Sequence, residues 1–409
     1  MKDKLRIGLV VAGCAPIPDV LGGGAERLIT ILVEENEIYG RVRFYVYCLA
    51  DKTAEEKAKS YKNAQIYYFT QGNVLDKIRN IFVRSVNHLS GKTRLLKYGY
   101  YRNIVRLAAS HNLDFIIDEN SYLPEFAYFT RLYGKDKIST HIHSKVCPTK
   151  KKIDGLYGSI IGVSGYTVRN WMVHSEDKDI VSRVVYSAVD EAHFKRIVSE
   201  KEKEELRRLL GFKKDDFIVL YCGRLHEQKG IGKLIDSISY LPDPHIRFLI
   251  VGGENTCKEK MGEYQKSIVK RASQYGEKLV FTGYIDNSEL YRYYAVAQIQ
   301  MIPSICEEAA GLISIEGMSA GLPIIASVSG GLPEYVNAEC AIFVERDNNM
   351  PINLARAVMK LYMDQGLRHS MSKAARKRSM RFTKAGYYND FIDAIIDIMK
   401  EKMLLDADG

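Results

Sequence analysis

The residues whose types and spacing best suit chemistry lie between Ser304 and Ser327, in SICEEAAGLISIEGMSAGLPIIAS. Glu308 and Glu316 stand with seven residues between them, and Gly311-Leu312 open a helix pattern after an apolar run. A helix start carries free N–H groups and the positive end of the helix dipole, so it favours an anion such as a diphosphate. A carboxylate on either side of that anion can accept hydrogen bonds from vicinal hydroxyls, as a ribose or another sugar presents them. The plainer alternative is a helix with an acid in its first turn and one solvated glutamate. Upstream, YCGRLHEQKG places Arg224 and Lys229 directly after an apolar strand. Arg gives paired donors to phosphate oxygens and Lys a compact charge, although surface cations of both kinds are common.

These groups need elements to hold them. Thirteen short apolar runs, from LRIGLVVAG to CAIFVE, alternate with helix-period segments such as GGGAERLITILVEEN. That order predicts an α/β chain with parallel sheets covered by helices on both faces. A length of 409 residues suits two domains of about 200 residues with a cleft between them. The pattern breaks at the dense charge of DEAHFKRIVSEKEKEELRRLLGFKKDD, so the spacing predicts domains over 1–189 and 190–381. A closing helix and tail follow over 382–409, with Phe391, Ile395, Ile398 and Met399 on one stripe. In open parallel sheets ligands sit beyond the carboxyl ends of strands, which is where these candidates fall. The loop GCAPIPDVLGGGAER lacks both the G-x-G-x-x-G of a dinucleotide site and the G-x-x-x-x-G-K-[ST] of a P-loop, which argues against hydride-transfer enzymes and NTPases. Its glycines form a tight turn that could also face a phosphate. Gly252-Gly253, ending another run, let a ligand or a loop approach closely.

Seven scattered cysteines with no C-x-x-C pair point to reduced, cytosolic thiols without a disulfide or zinc framework. The start reads as a first strand and not as a signal peptide, and no window is apolar enough for a membrane span. The net charge is +9, and residues 77–106 carry eight Lys/Arg with no Asp or Glu among apolar residues. Three readings stand: an interfacial surface on anionic lipid, a nucleic-acid face, or a solvated helical surface.

The segments GRLHEQKG, IPSICEEAAGLISIEGMSAGLPIIASVSGGLPEYV, GGGAERL and VVYSAVDEAHF resemble, in the same order, the family 4 glycosyltransferases of the GT-B fold. The resemblance implies two doubly wound Rossmann-like domains facing a cleft, an N-terminal acceptor domain and a C-terminal donor domain. It implies metal-independent, retaining transfer of a sugar from a nucleotide diphosphate sugar, UDP or GDP type, to a glycan or polyprenyl- or lipid-linked acceptor. Arg224 and Lys229 would bind the diphosphate, Glu308 the donor sugar and Glu316 the ribose. Gly311 and Leu312 would offer amides, with Gly23 and Gly24 approaching from the other domain. The family pattern also expects a histidine, which STHIHSK supplies as His143 in preference to His141; Asp118 and Glu119, ending LDFIIDEN, line the acceptor side or cap a helix. The closing helix would cross back to the first domain. Ala309 and Ala310 replace the family's usual Pro-Phe, which opens the question of sugar preference, and Ser187-Ala188 replaces its Asn-Gly. Neither D-x-D triplet, 177–179 or 406–408, follows an apolar strand, so no metal and no cofactor is expected. The setting implied is bacterial capsule, lipopolysaccharide or exopolysaccharide synthesis by a cytoplasmic enzyme, peripheral at the inner face of the plasma membrane through 77–106, without nucleic acid. The alternatives are a GT-B nucleotide-sugar epimerase and a basic nucleic-acid-binding protein.

Overall fold

The computed structural model describes residues 4–13, 15–70, 74–90, 99–253 and 262–404. Two compact units result: one combines the chain up to Ser187 with the stretch from Lys384 onward, and the other is Ala188–Thr383. The junctions fall two residues before and two residues after those expected at 189 and 381. The first unit's sheet ladder ends where the Val185 N–H donates to the Gly162 carbonyl, which sets the first break. Phe382 stacks on Tyr335 with ring centroids 5.0 Å apart, which keeps it with the second unit and delays the second break.

The first unit holds a seven-stranded sheet: β1 (Arg6–Val11), β2 (Arg43–Leu49), β3 (Ala64–Phe69), β4 (Phe115–Glu119), β5 (Ile138–Ile142), β6 (Ser159–Gly162) and β7 (Val181–Val184), in the order β3-β2-β1-β4-β5-β6-β7. The second holds six: β8 (Phe217–Cys222), β9 (Ile246–Val251), β10 (Leu279–Gly283), β11 (Ile299–Ile302), β12 (Ile324–Ser327) and β13 (Ala341–Val344), in the order β10-β9-β8-β11-β12-β13. All neighbours in both sheets are parallel. Every one of the thirteen runs is a strand, as parallel strands covered on both faces are mostly apolar, although β5 also buries Ser139, Thr140 and His141. Winding reverses between β1 and β4 and between β8 and β11, and each reversal opens a crevice at the carboxyl ends of those strands.

The helix Gly24–Tyr39 buries Leu28, Ile29, Ile31 and Leu32 and stops at Gly40, whose φ of 59° takes the left-handed conformation that ends helices. The helix Lys384–Glu401 lays Tyr387, Tyr388, Phe391, Ile392, Ile395, Ile398 and Met399 into the first unit. Tyr388 stacks on Tyr39 at 5.5 Å and donates to Asn36 Oδ1 at 2.6 Å, while Arg41 pairs with Asp393 at 2.5 Å. The return of the closing helix to the first unit is thus present, and its expected apolar stripe is the buried one.

The basic stretch forms parts of two helices of different character. Tyr100–Ala108 buries Tyr100, Ile104 and Ala108 as an ordinary covering helix. Val74–Ser90 leaves Leu75, Ile78, Ile81, Phe82 and Leu89 exposed. The cations Arg94 and Lys97 lie outside the described residues. Among the described residues no helix is long and apolar enough to cross a membrane. Cys48, Cys147, Cys222, Cys306 and Cys340 are free thiols, and Cys14 and Cys257 lie outside the described residues.

Candidate functional site

In the second unit the site grows from the tips of β8 and β11, the strands that flank the reversal. After β8 the chain turns at Gly223, and the Tyr221 hydroxyl holds the Arg224 carbonyl at 2.8 Å. The Arg224 side chain is exposed and has no hydrogen-bond partner among the described residues. A Cβ on Gly252 would meet the Gly223 carbonyl oxygen at 2.0 Å. The glycine pair ending β9 therefore serves the approach of a neighbouring loop. Lys229 closes a short turn capped by Gly230, which has φ 72° and packs so closely that a Cβ there would lie 1.7 Å from the Pro303 carbonyl oxygen. The Gln228 carbonyl accepts from the Ile305 N–H at 2.9 Å, which ties this turn to the loop after β11.

That tie brings together two residues 79 positions apart. Lys229 Nζ donates to both oxygens of Glu308, at 2.7 and 2.8 Å, and Ser304 Oγ adds a third bond at 2.5 Å. The loop is braced from behind: the Glu308 N–H reaches Ser329 Oγ at 3.0 Å, and its carbonyl accepts from the Gly331 N–H at 2.7 Å. Glu307 takes the Gly330 N–H and Arg346, both at 2.6 Å, so this acid locks the loop instead of facing a ligand. Lys229 and Glu308 neutralise one another, Arg224 at the β8 tip has no ion-pair partner among the described residues, and one ammonium proton of Lys229 is still free to donate.

Gly311, at φ 95°, caps the helix Leu312–Ala320, as the glycine read from the sequence requires. The Ser314 N–H already donates to the Gly311 carbonyl at 2.8 Å, which leaves the N–H groups of Leu312 and Ile313 as the ones that open the helix. Glu316 lies one turn further on, where Tyr294 Oη donates to its Oε2 at 2.6 Å. Burial pushes the Glu316 carboxyl up to about 7, against the pull of the Tyr294 hydroxyl. A cavity of about 660 Å³ lined by Tyr294, Gln298, Pro323, Arg368, His369 and Arg376 lies at the amino ends of β11 and β12, away from these tips.

In the first unit the β4–β5 register sets Glu119 beside His141, so both side chains leave the same face, and His143 follows two residues on. Glu119 Oε2 receives His141 Nδ1 at 3.0 Å and His143 Nε2 at 3.2 Å. Burial opposes charge on Glu119, yet the two histidines outweigh it and hold its carboxyl down at about 2. Burial and the neighbouring His141 lower His143 to about 4, despite the carboxylate. The ligand atoms of Glu119, His141 and His143 lie within 4.8 Å of one another, a donor set that a divalent transition ion accepts. Phe391 of the closing helix packs on His141 at 5.1 Å.

Asp118 faces the opposite side of β4. It is fully buried, bonded by Tyr157 Oη at 2.6 Å and by both the N–H and hydroxyl of Ser121, and burial raises it to about 7. It caps a turn and not a helix, and its enclosure by Tyr157 and Ser121 leaves it no acceptor surface to line. Gly23, at φ 129°, precedes the helix that Gly24 begins, at the end of the loop after β1. Asp177 of the first D-x-D triplet pairs with Lys135 at 3.1 Å; Asp406 and Asp408 lie outside the described residues.

Of the residues singled out in the sequence, Arg224, Lys229, Glu308, Gly311, Leu312 and Glu316 gather in the second unit, and His141 and His143 meet in the first. Tyr294 was missed as a working part, and Glu119, read beside Asp118 as an acceptor-side acid, was not connected with the two histidines it pairs with. The alternation of His141 and His143 beside a strand ending in an acid was the available signal for Glu119, while Tyr294 sits in a tyrosine-rich helix with nothing to single it out.

The family model described as glycosyl transferases group 1 matches residues 202–378. An uncharacterized glycosyltransferase of Methanocaldococcus jannaschii is 30% identical over 196 residues, 48% of each chain. The lipopolysaccharide 1,2-N-acetylglucosaminetransferase of Salmonella typhimurium is 29% identical over 137 residues, 33% of this chain and 36% of its own. The chain thus spans about half or less of the length of these two curated relatives. The structure of Anabaena Alr3699/HepE in complex with UDP shares the fold, with a TM-score of 0.73 at 17% identity over 96% of this chain and 100% of that one. The chain thus has two parallel doubly wound units of the GT-B kind, and the segment that matches the group 1 glycosyl transferases lies inside the second.

Proposed function

We propose that the protein is a retaining glycosyltransferase that moves a sugar from a UDP- or GDP-linked donor to a hydroxyl of a glycan or lipid-linked acceptor, without a metal, in bacterial surface polysaccharide synthesis. The observation that carries this reading is the convergence of Arg224, the Lys229–Glu308 pair, the Gly311 helix start and Glu316 at the β8 and β11 tips of one unit. Leaving-group departure places charge on the β-phosphate, and Arg224, the third Lys229 proton and the helix amides meet it as it develops. Glu316, as a carboxylate, accepts from ribose hydroxyls in place of Tyr294. Glu308, already oriented by Lys229 and Ser304, keeps lone pairs for a sugar hydroxyl. In front-face attack the acceptor hydroxyl bonds to the anomeric carbon as the bond to phosphate breaks, and its proton passes to the departing phosphate oxygen. The Salmonella relative acts in lipopolysaccharide synthesis and the Anabaena neighbour binds UDP, which favours this substrate class.

The exposed Leu75, Ile78, Ile81, Phe82 and Leu89 beside the cations of 77–106 support a peripheral seat on anionic lipid, close to a lipid-linked acceptor. The deciding experiment is calorimetric titration of UDP, GDP, ADP and NAD into the wild type and Glu316→Ala without added metal. One nucleoside diphosphate should bind, and the substitution should abolish it. Binding of NAD alone, or of none, would remove the foundation of the reading.

A further inference from the structure

We infer that the first unit carries a binding site for one divalent transition ion of the zinc type, with Glu119, His141 and His143 as its protein ligands. The site shares no residue with the group at the β8 and β11 tips, so it stands apart from the transfer reading. The sequence expectation of no metal concerned D-x-D triplets and an ion on a diphosphate, whereas these ligands are imidazoles at a strand end. Residues i and i+2 of a strand project from one face, so His141, inside β5, and His143, just past its end, lean the same way. The parallel register sets Glu119, the last residue of β4, beside His141. Glu119 Oε2 lies 3.0 Å from His141 Nδ1 and 3.2 Å from His143 Nε2. A four-coordinate ion with bonds of about 2.0–2.1 Å keeps its ligand atoms about 3.3 Å apart, so two edges of the coordination figure already have nearly the right length.

Burial argues the same way. The side chains of Glu119 and His141 are wholly enclosed, and that of His143 is 8% exposed. An enclosed carboxylate needs a cationic partner or a metal. No Lys or Arg pairs with Glu119 among the described residues, and its Oε1 has no hydrogen-bond partner. An ion beside the two rings supplies the missing charge, and a carboxylate that turns both oxygens to it gives Oε1 the partner it lacks. Two imidazoles with one carboxylate select zinc, cobalt or nickel over magnesium and calcium, which take oxygen ligands. The ligands are held in place before an ion arrives, since the His143 N–H donates to Tyr122 Oη at 2.9 Å and Phe391 packs on His141 at 5.1 Å. His141 Nε2 has no hydrogen-bond partner behind the ring. A ligating histidine without that support holds a metal about 10- to 100-fold more weakly, so this ion is exchangeable and follows the supply.

The test uses the full chain, free of any affinity tag, stripped with a chelator and then titrated with Co²⁺ and Zn²⁺. The wild type should take up one Co²⁺ per chain with the strong visible absorption of a four-coordinate ion, and Zn²⁺ should displace it. The Tm of the first unit should rise by about 5–10 °C at a hundredfold excess of Zn²⁺ over its Kd. His143→Gln and Glu119→Gln should each weaken uptake by at least about 100-fold, because losing a ligand costs more than losing a partner behind one. If Glu119→Gln does not fold, His143→Gln decides. No uptake by the wild type overturns the proposal. So does uptake unaltered in His143→Gln, or the intense near-ultraviolet absorption of cobalt on thiolate, since the ion then sits elsewhere. Displacement of Co²⁺ by equimolar Mg²⁺ overturns the assignment of imidazole ligands.

Discussion

Replacing Lys229 by methionine keeps most of the side-chain volume and removes the ammonium that both Glu308 oxygens hold. The Glu308 side chain is 11% exposed and Lys229 is 26% exposed, so the pair lies between a buried and a surface ion pair. Stranding a fully buried charge costs about 3–5 kcal/mol, whereas a surface pair contributes about 0–1 kcal/mol. With the solvent on Lys229 discounted and Ser304 Oγ still bonded, Lys229→Met should destabilise the second unit by about 2 kcal/mol. Glu308→Gln, whose amide oxygen still accepts from the more exposed lysine, should cost about 1 kcal/mol. The double variant should then recover about 1 kcal/mol of their sum. For a unit of this size each kcal/mol moves Tm by about 2–4 °C, so Lys229→Met melts about 4–8 °C lower. Calorimetric melts of the four proteins close the cycle. A coupling below about 0.3 kcal/mol would show that the two side chains are independent, and the claim that Lys229 orients Glu308 would be refuted.

Other outcomes follow from the same contacts. Because Glu316 is raised to about 7, the folded unit holds a proton that an unfolded glutamate releases near its ordinary value of about 4.3. Stability from this group is therefore lost as pH rises from about 4.5 through 7, a slope that Glu316→Gln should flatten in the melts of the second unit. UDP affinity should rise about 10-fold between pH 6 and pH 8 as the carboxylate forms, and a flat titration would reject Glu316 as the ribose acceptor. Gly230→Ala drives a Cβ to 1.7 Å from the Pro303 carbonyl at φ 72°, so it should cost at least about 2 kcal/mol and weaken UDP binding with it; an unchanged melt would contradict the packing. Tyr388→Phe removes the 2.6 Å bond to Asn36 and should lower the urea midpoint of the first unit by the equivalent of about 1–1.5 kcal/mol. Ile81→Ser with Phe82→Ser should reduce co-sedimentation with phosphatidylglycerol vesicles, and unaltered sedimentation would end the case for a lipid seat on that helix.

The strands were legible because parallel strands covered on both faces are mostly apolar, and even β5, which buries Ser139, Thr140 and His141, is marked by an isoleucine at each end. The glycine at 311 was legible for a similar reason, since a helix start at a strand tip with positive φ admits few residues. What pairs across the chain was not. Lys229 and Glu308 read as separate ligands for separate parts of a donor, and only the tie between Gln228 and Ile305 shows that they hold each other. Glu119 read as a neighbour of Asp118, although the β4–β5 register turns the two carboxylates to opposite faces and gives one of them two histidines. Asp118 read as a helix cap because an acid after an apolar run usually is one; the tyrosine that encloses it comes 39 residues later.

The helix Lys384–Glu401 completes the first unit, yet it is translated after the whole of the second. On a ribosome moving at about 5–20 residues per second, the segment Ala188–Thr383 occupies about 10–40 s. During that interval the surface awaiting Tyr387, Tyr388, Phe391 and Ile395 stays open, while the second unit, continuous in sequence, is free to fold as it emerges. Order of maturation thus runs against order of synthesis: the half that begins the chain is the last to close. A protein ending at Ser187 would expose this apolar surface permanently, whereas Ala188–Thr383 has no such debt to a distant segment.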